Sequence, residues 1–209
     1  LSLSVATIPI GSPIVTVAKT AQLAQNVSDA IYSEPPTRLR QINEEKLTGL
    51  GLSKEIIKQF LDHPIYTPTQ DTMITLTLEK LRGANGLDSY LEYLIESAET
   101  PEDAYFTTLM TLLISQYHDN KSKIKDIKKV GIFIVTKDSK GNYMIPFPLD
   151  YGVWSEMADR QVTNLVSSLN TKNKIELWLT GTVSALAKKN LKSKNIKLVD
   201  NIEGTLVKK

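Results

Sequence analysis

The spacing of apolar residues changes near Lys121, and this change constrains the fold more than any other feature of the chain. Before it, apolar residues recur every three or four positions behind helix-start signals. After it, short apolar runs alternate with turn residues and two amphipathic stretches. Helical periodicity followed by strand periodicity in one chain points to an α+β protein.

The helix starts are local chemistry. Ser12-Pro13 opens a helix carrying Ile14, Val17, Ala18, Ala21, Ala24, Val27 and Ile31, and Pro35-Pro36 ends it. A Ser side chain satisfies a free N–H of the first turn, and proline at the first position loses no hydrogen bond. The polar face of this stretch is mild, with one lysine, which fits packing on its own domain better than lying on a membrane. Thr37 to Leu47 reads as a short helix, and Ser53 caps another over Lys54 to Asp62, closed by His63-Pro64. Thr67-Pro68-Thr69-Gln70 has the form of a capping box and opens a helix with Met73, Ile74, Leu76, Leu78 and Leu81. Gly83 and Gly86 bracket a turn before Leu87 to Ala98. Thr100-Pro101-Glu102-Asp103 repeats the start signal for a last helix running to about His118. Short connections predict an antiparallel bundle.

Lys121 to Lys129 holds five lysines and one aspartate and reads as a hinge or a continuation of the last helix. Val130 to Thr136 is a near-continuous apolar run, the pattern of a strand buried on both faces. Asp138 to Gly141 is a hairpin turn and Asn142 to Phe147 the return strand. A helix over Ser155 to Leu169, a strand over Lys174 to Thr180, a helix over Ser184 to Lys194 and a strand over Ile196 to Val199 follow. The predicted fold is an N-terminal helical bundle (residues 1–121) packed on a small mixed sheet whose C-terminal part (residues 122–209) is βαβαβ, as two parts or one compact unit. Ile132, Phe133, Ile134, Val135, Leu177 and Leu179 are expected to be buried.

Composition removes several function classes. The chain has no cysteine, so thiolate chemistry and disulfides are excluded, and with two histidines a His-rich metal site is not expected. No metal, cofactor or catalytic residue is assigned. His63 and His118 both fall near helix C-termini, where the dipole favours a cation. Residues 1–121 hold nine basic and fifteen acidic side chains, net −6, and residues 122–209 hold sixteen and eight, net +8. If the acidic part docks on the basic part, ion pairs should cross between them. Leu1 to Ile10 is uncharged and no run reaches 18 apolar residues, so no spanning helix is predicted. The uncharged start and absent cysteine fit a periplasmic or secreted protein, the alternative being a cytoplasmic one.

Topology locates a candidate site. If the strands ending at Phe147 and Thr180 are parallel, the loops after them share one sheet edge, where open α/β sheets bind ligands. Those loops supply Asp150, Tyr151 and Trp154 from one side and Thr180, Gly181 and Thr182 from the other. Thr180-Gly181-Thr182 before a helix N-terminus is either an anion cradle or a plain turn in which Gly181 supplies an unusual φ and Thr182 or Ser184 caps the helix. Tyr143, Phe147, Tyr151 and Trp154 either form a recognition surface or cover one end of the core. Pro146 and Pro148 argue against a central strand there. Lys188, Lys189, Lys192, Lys194 and Lys197 read as a solvated face. Their functional variant is an anionic membrane surface met by Lys188, Lys189 and Lys192. Nucleic acid is disfavoured, since neither arginine nor an aromatic platform interleaves.

Trp178 to Ser184 with the lysine-rich helix and final strand, and Pro146 to Asp150, resemble the C-terminal end of uncharacterised bacterial exported proteins. The resemblance covers the last third of the chain. It implies export and assigns no activity or residue role. The expectation is a non-enzymatic interaction module of the bacterial cell envelope with an unknown protein partner. Its alternative is a domain that binds a small anionic ligand or processes a phosphoester at the strand ends.

Overall fold

A computed structural model describes residues 34–202. The helix expected over 14–31 lies outside them. Five helices come first: α1 Pro36–Thr48, α2 Lys54–Leu61, α3 Pro68–Lys80, α4 Leu87–Ser97 and α5 Pro101–Asn120. Then follow β1 Ile124–Val130, β2 Phe133–Asp138, β3 Tyr143–Pro146, β4 Tyr151–Gly152, α6 Glu156–Leu169, β5 Ile175–Trp178, β6 Thr182–Val183, α7 Ala185–Ser193 and β7 Ile196–Val199. The predicted starts form as local hydrogen bonds. Ser53, Ser155 and Ser184 accept from the backbone N–H three residues on. Thr67 with Gln70, and Thr100 with Asp103, close reciprocal capping boxes.

The main sheet runs β1-β2-β3-β5-β7. The first three strands are antiparallel neighbours, whereas β3/β5 and β5/β7 are parallel. The fold is α+β, with helices on both faces of a mixed sheet. One apolar cluster joins the bundle to one face through Ile124, Ile127, Ile134, Met144 and Trp178. A second packs α6 (Val162, Leu165, Leu169) and α7 (Ala187, Leu191) on the other face, against Phe133, Val135, Ile145 and Ile196. Side chains alternate between the two clusters along β2, which explains its near-continuous apolar sequence. Gly86, in the left-handed region at the start of α4, brings the preceding turn onto the sheet edge. A Cβ there would lie 2.1 Å from the Ile127 carbonyl oxygen. Asn85 then exchanges backbone bonds with Lys125 and Ile127 of β1 at 2.9 and 3.0 Å.

Several expectations need correction. Residues 124–130 are a strand rather than a hinge or helix, with lysines outward and Ile124 and Ile127 inward. The strand predicted to start at Val130 is interrupted, because Gly131 and Ile132 form the β1–β2 turn and Ile132 is 40% exposed. Phe133, Ile134, Val135 and Leu179 are buried, and Leu177 is half-buried. Pro146 ends the central strand β3; the missing N–H is tolerated because pairing passes to Phe147 N–H, which donates to Trp178 C=O at 2.9 Å. Among the described residues, the ion pair between the two parts is Lys121–Glu176. Its cation belongs to the helical part and its anion to the sheet, the reverse of the expected polarity.

Glu176 is 4% exposed and lies at the end of the sheet away from the strand C-termini. Its carboxylate accepts from Lys121, from Trp178 Nε1 at 3.0 Å and from Lys197 at 3.4 Å. Lys121 Nζ also lies 5.4 Å from the Trp178 ring centre, and the Tyr117 and Trp178 rings meet edge to face. Nearby, Tyr117 OH donates to Asp138 at 2.9 Å. Burial alone would raise the Glu176 carboxyl, but these donors outweigh it and hold the group below its ordinary range. Every partner in this clasp lies within the chain, so it joins layers rather than offering a ligand site.

Candidate functional site

The parallel pairing of β3 and β5 brings the loops after them together, as the crossover argument required. They go further and form a two-stranded parallel sheet of their own, with Tyr151 opposite Thr182 and Gly152 opposite Val183. α6 and α7 start just beyond β4 and β6. The resulting lip overhangs the C-terminal ends of the parallel strands. Asp150, Tyr151, Thr180, Gly181 and Thr182 meet on it, while Trp154 turns away.

The lip is stitched by its backbone. Gly181 N–H donates to Leu149 C=O at 2.7 Å, Thr182 N–H to Asp150 C=O at 3.0 Å and Ser184 N–H to Gly152 C=O at 2.8 Å. Thr180 is buried and works both ways: its hydroxyl donates to Leu149 C=O at 3.0 Å and accepts from Leu149 N–H at 2.9 Å. The expected unusual φ at Gly181 is absent, since this residue is not among the left-handed glycines. Glycine is needed for approach instead, because a Cβ would lie 2.0 Å from the Asp150 carbonyl oxygen. Of the two possible caps, Ser184 takes the role. Thr182 Oγ1 donates to Asp200 at 2.8 Å.

These bonds bear directly on anion binding. The N–H groups of Gly181, Thr182 and Ser184 are spent on carbonyls. The Asp200 carboxylate already holds the Thr182 hydroxyl and pairs with Lys188 at 2.8 Å. Hydrogen bonds from Lys188, then Thr182, keep Asp200 below its ordinary carboxyl range. A bound anion would have to displace a carboxylate in good geometry. Among the described residues, no group of three or more His, Asp or Glu side chains is placed to hold a metal ion. A depression of about 630 Å³ lies along α6 between Trp154, Glu156, Arg160 and Asn164, and Trp154 alone of the six candidates lines it.

The aromatics divide. Tyr143 is buried, Phe147 packs between Phe106 and Phe133 with ring centres 5.8 Å from each, and Trp154 is half-buried against the α6–α7 core. Tyr151 stays 58% exposed. The alternation is that of a strand: Gly152 and Trp154 inward, Tyr151 and Val153 outward. Val153, Met157 and Leu186, overlooked as site residues in the sequence, are 66%, 64% and 55% exposed. Met157 lies in the first turn of α6 and Leu186 in that of α7.

The lysine cluster is tied down in part. Lys188 pairs with Asp200, Lys194 with Asp159 at 3.2 Å and Lys197 with Glu176, whereas Lys189 and Lys192 are exposed and form no ion pair among the described residues. His118 is not a helix-end cation. His118 is buried, and its Nδ1 accepts from Ile124 N–H at 3.2 Å, which requires the neutral ring. Burial and Lys123 lower its pKa accordingly. His63 Nδ1 accepts from Ile65 N–H. No helix among the described residues is long and apolar enough to cross a membrane. Compared with protein-family models, curated proteins and solved structures, the chain matches none.

Proposed function

We propose that this chain is a non-enzymatic interaction module that binds a protein partner through the β4–β6 lip. One observation carries the reading. Of the five large apolar side chains exposed among the described residues, Tyr151, Val153, Met157 and Leu186 belong to β4 or to the segments just after β4 and β6. Isolated exposed apolar residues are ordinary, but their concentration on one structural feature marks an interaction surface. The lip is rigid, being hydrogen-bonded along its length, so little ordering entropy opposes binding. The rival small-anion reading is disfavoured because the N–H groups of Gly181, Thr182 and Ser184 and the Thr182 hydroxyl are already engaged. A place in the bacterial envelope, periplasmic or secreted, is part of the proposal and rests on the resemblance of the last third of the chain to bacterial exported proteins.

The test is site-specific photo-crosslinking in the cells that make the protein. A photoreactive residue at Val153 or Leu186 should give discrete protein adducts, and one at the exposed Lys58 of α2 should not. Silence at both lip positions, or equal adducts at Lys58, would sink the proposal. Fractionation of the same cells tests the compartment: recovery with the cytoplasm would remove the envelope assignment.

A further inference from the structure

The charges on the lip fall into two halves. On the β4–α6 side, Asp150, Glu156 and, one turn further along α6, Arg160 are exposed and form no ion pair among the described residues. On the α7 side, Lys189 and Lys192 are exposed and equally unpaired. The exposed apolar side chains belong to the same two segments. The segments are held together, because Tyr151 pairs with Thr182 and Lys194 at the end of α7 reaches Asp159 and Thr163 of α6 at 3.2 and 2.7 Å. The surface is therefore bipolar: the β4–α6 half presents two free carboxylates with the Arg160 guanidinium one turn further along α6, and the α7 half presents two free ammonium groups and no free carboxylate.

A uniformly acidic partner or an anionic membrane would satisfy the lysines but set Asp150 and Glu156 against like charge. A bipolar partner avoids that cost, and a twofold axis supplies one: in an isologous pair the acidic half of each copy faces the basic half of the other. The net charge of +2 opposes the approach of two copies only weakly. From the free charges and exposed apolar residues of the lip, we infer that its partner is a second copy of this chain, docked about a twofold axis. This rests on reading the lip as a protein-binding surface, and it names the occupant.

Sedimentation of the full chain over a concentration series should show a reversible monomer–dimer equilibrium. Leu186→Lys and Tyr151→Lys, both at exposed positions, should each weaken the dimer by about tenfold or more, about 1.4 kcal/mol, with unchanged circular dichroism. Asp150→Lys/Glu156→Lys replaces the free carboxylates of the lip with cations, and Lys189→Glu/Lys192→Glu replaces the free ammonium groups of α7 with anions. Each double variant should be monomeric alone, and an equimolar mixture should recover the dimer. A wild-type chain that stays monomeric to its solubility limit would overturn the inference. So would a dimer indifferent to Leu186→Lys, or a mixture that stays monomeric. A monomeric wild type that still crosslinks in cells to a different protein at Val153 and Leu186 would defeat the self-pairing while leaving the interaction reading intact. Loss of both results would defeat both.

Discussion

Replacing Asp71 with asparagine should stabilise the protein, and more so as pH rises. Asp71 lies in the first turn of α3 and is partly buried, and among the described residues its Oδ1 has no hydrogen-bond partner. Beside it, Thr72 accepts from buried Asn43 of α1 at 3.0 Å. Burial pushes the Asp71 carboxyl up to about 7, Arg40 offsetting only part of the rise, against an ordinary value of 3.8. The folded state therefore favours the protonated group. As pH rises past the unfolded value, the unfolded chain ionises first, and the native state loses stability until about pH 7, above which the loss is constant. The gap corresponds to about 4 kcal/mol at about 1.4 kcal/mol per pH unit. Partial access to water reduces this to about 2–4 kcal/mol. Asparagine keeps the shape and cannot ionise. Denaturant unfolding of both proteins should give nearly equal stabilities around pH 4 and an advantage of about 2–4 kcal/mol to Asp71→Asn around pH 8. A difference that does not change with pH, or a variant weaker than wild type at the higher pH, would refute the reasoning.

Three further outcomes follow from the packing. Lys121→Met leaves Glu176 buried with only Lys197 and Trp178, so it should cost about 1–3 kcal/mol at neutral pH; because the folded Glu176 pKa is depressed, that cost should vanish as acid protonates the carboxyl, and a pH-independent loss in unfolding titrations would refute the clasp. Gly181→Ala drives a Cβ into the Asp150 carbonyl and should lower the melting temperature and speed amide exchange at Thr182 and Ser184, whereas unchanged exchange would contradict the close approach. Phe133→Ala empties a position shared by β2 and the α6–α7 core and should cost on the order of 3–5 kcal/mol by denaturant unfolding, with a cost below about 1 kcal/mol contradicting the packing.

Elements governed by local chemistry were legible in the sequence. Ser53, Thr67 and Thr100 each cap the helix they announce, because a cap needs only a side chain and the next turn of backbone. The parallel pairing of β3 with β5 was legible too, since a strand, a helix of suitable length and a second strand have one common solution. β1 was not. A register shift between Ile124 and Asp126 leaves its buried isoleucines three residues apart, a helical spacing, and the intervening lysines reinforce the helical appearance. Buried threonines on α3 and α5 also read as polar surface. Thr72, Thr107, Thr108 and Thr111 hide their hydroxyls by donating to carbonyls four residues back. Within the lip, a glycine needed for φ and one needed for contact look alike, and the Asp150 carbonyl that decides between them lies thirty-one residues away in sequence. The outward set, Tyr151 and Val153, becomes readable only once β4 is recognised as a strand.

The absence of cysteine makes the central claim open to a direct measurement. A single cysteine at Val153 or Leu186 becomes the only thiol in the chain and reports the accessibility of the lip through its rate of maleimide labelling. In dilute purified protein both positions should label at the rate of an exposed control at Lys58. In the cells that make the protein, the lip positions should be protected several-fold while the control is unchanged. Equal labelling of all three positions in cells would mean that nothing covers the lip, and the interaction account would be wrong.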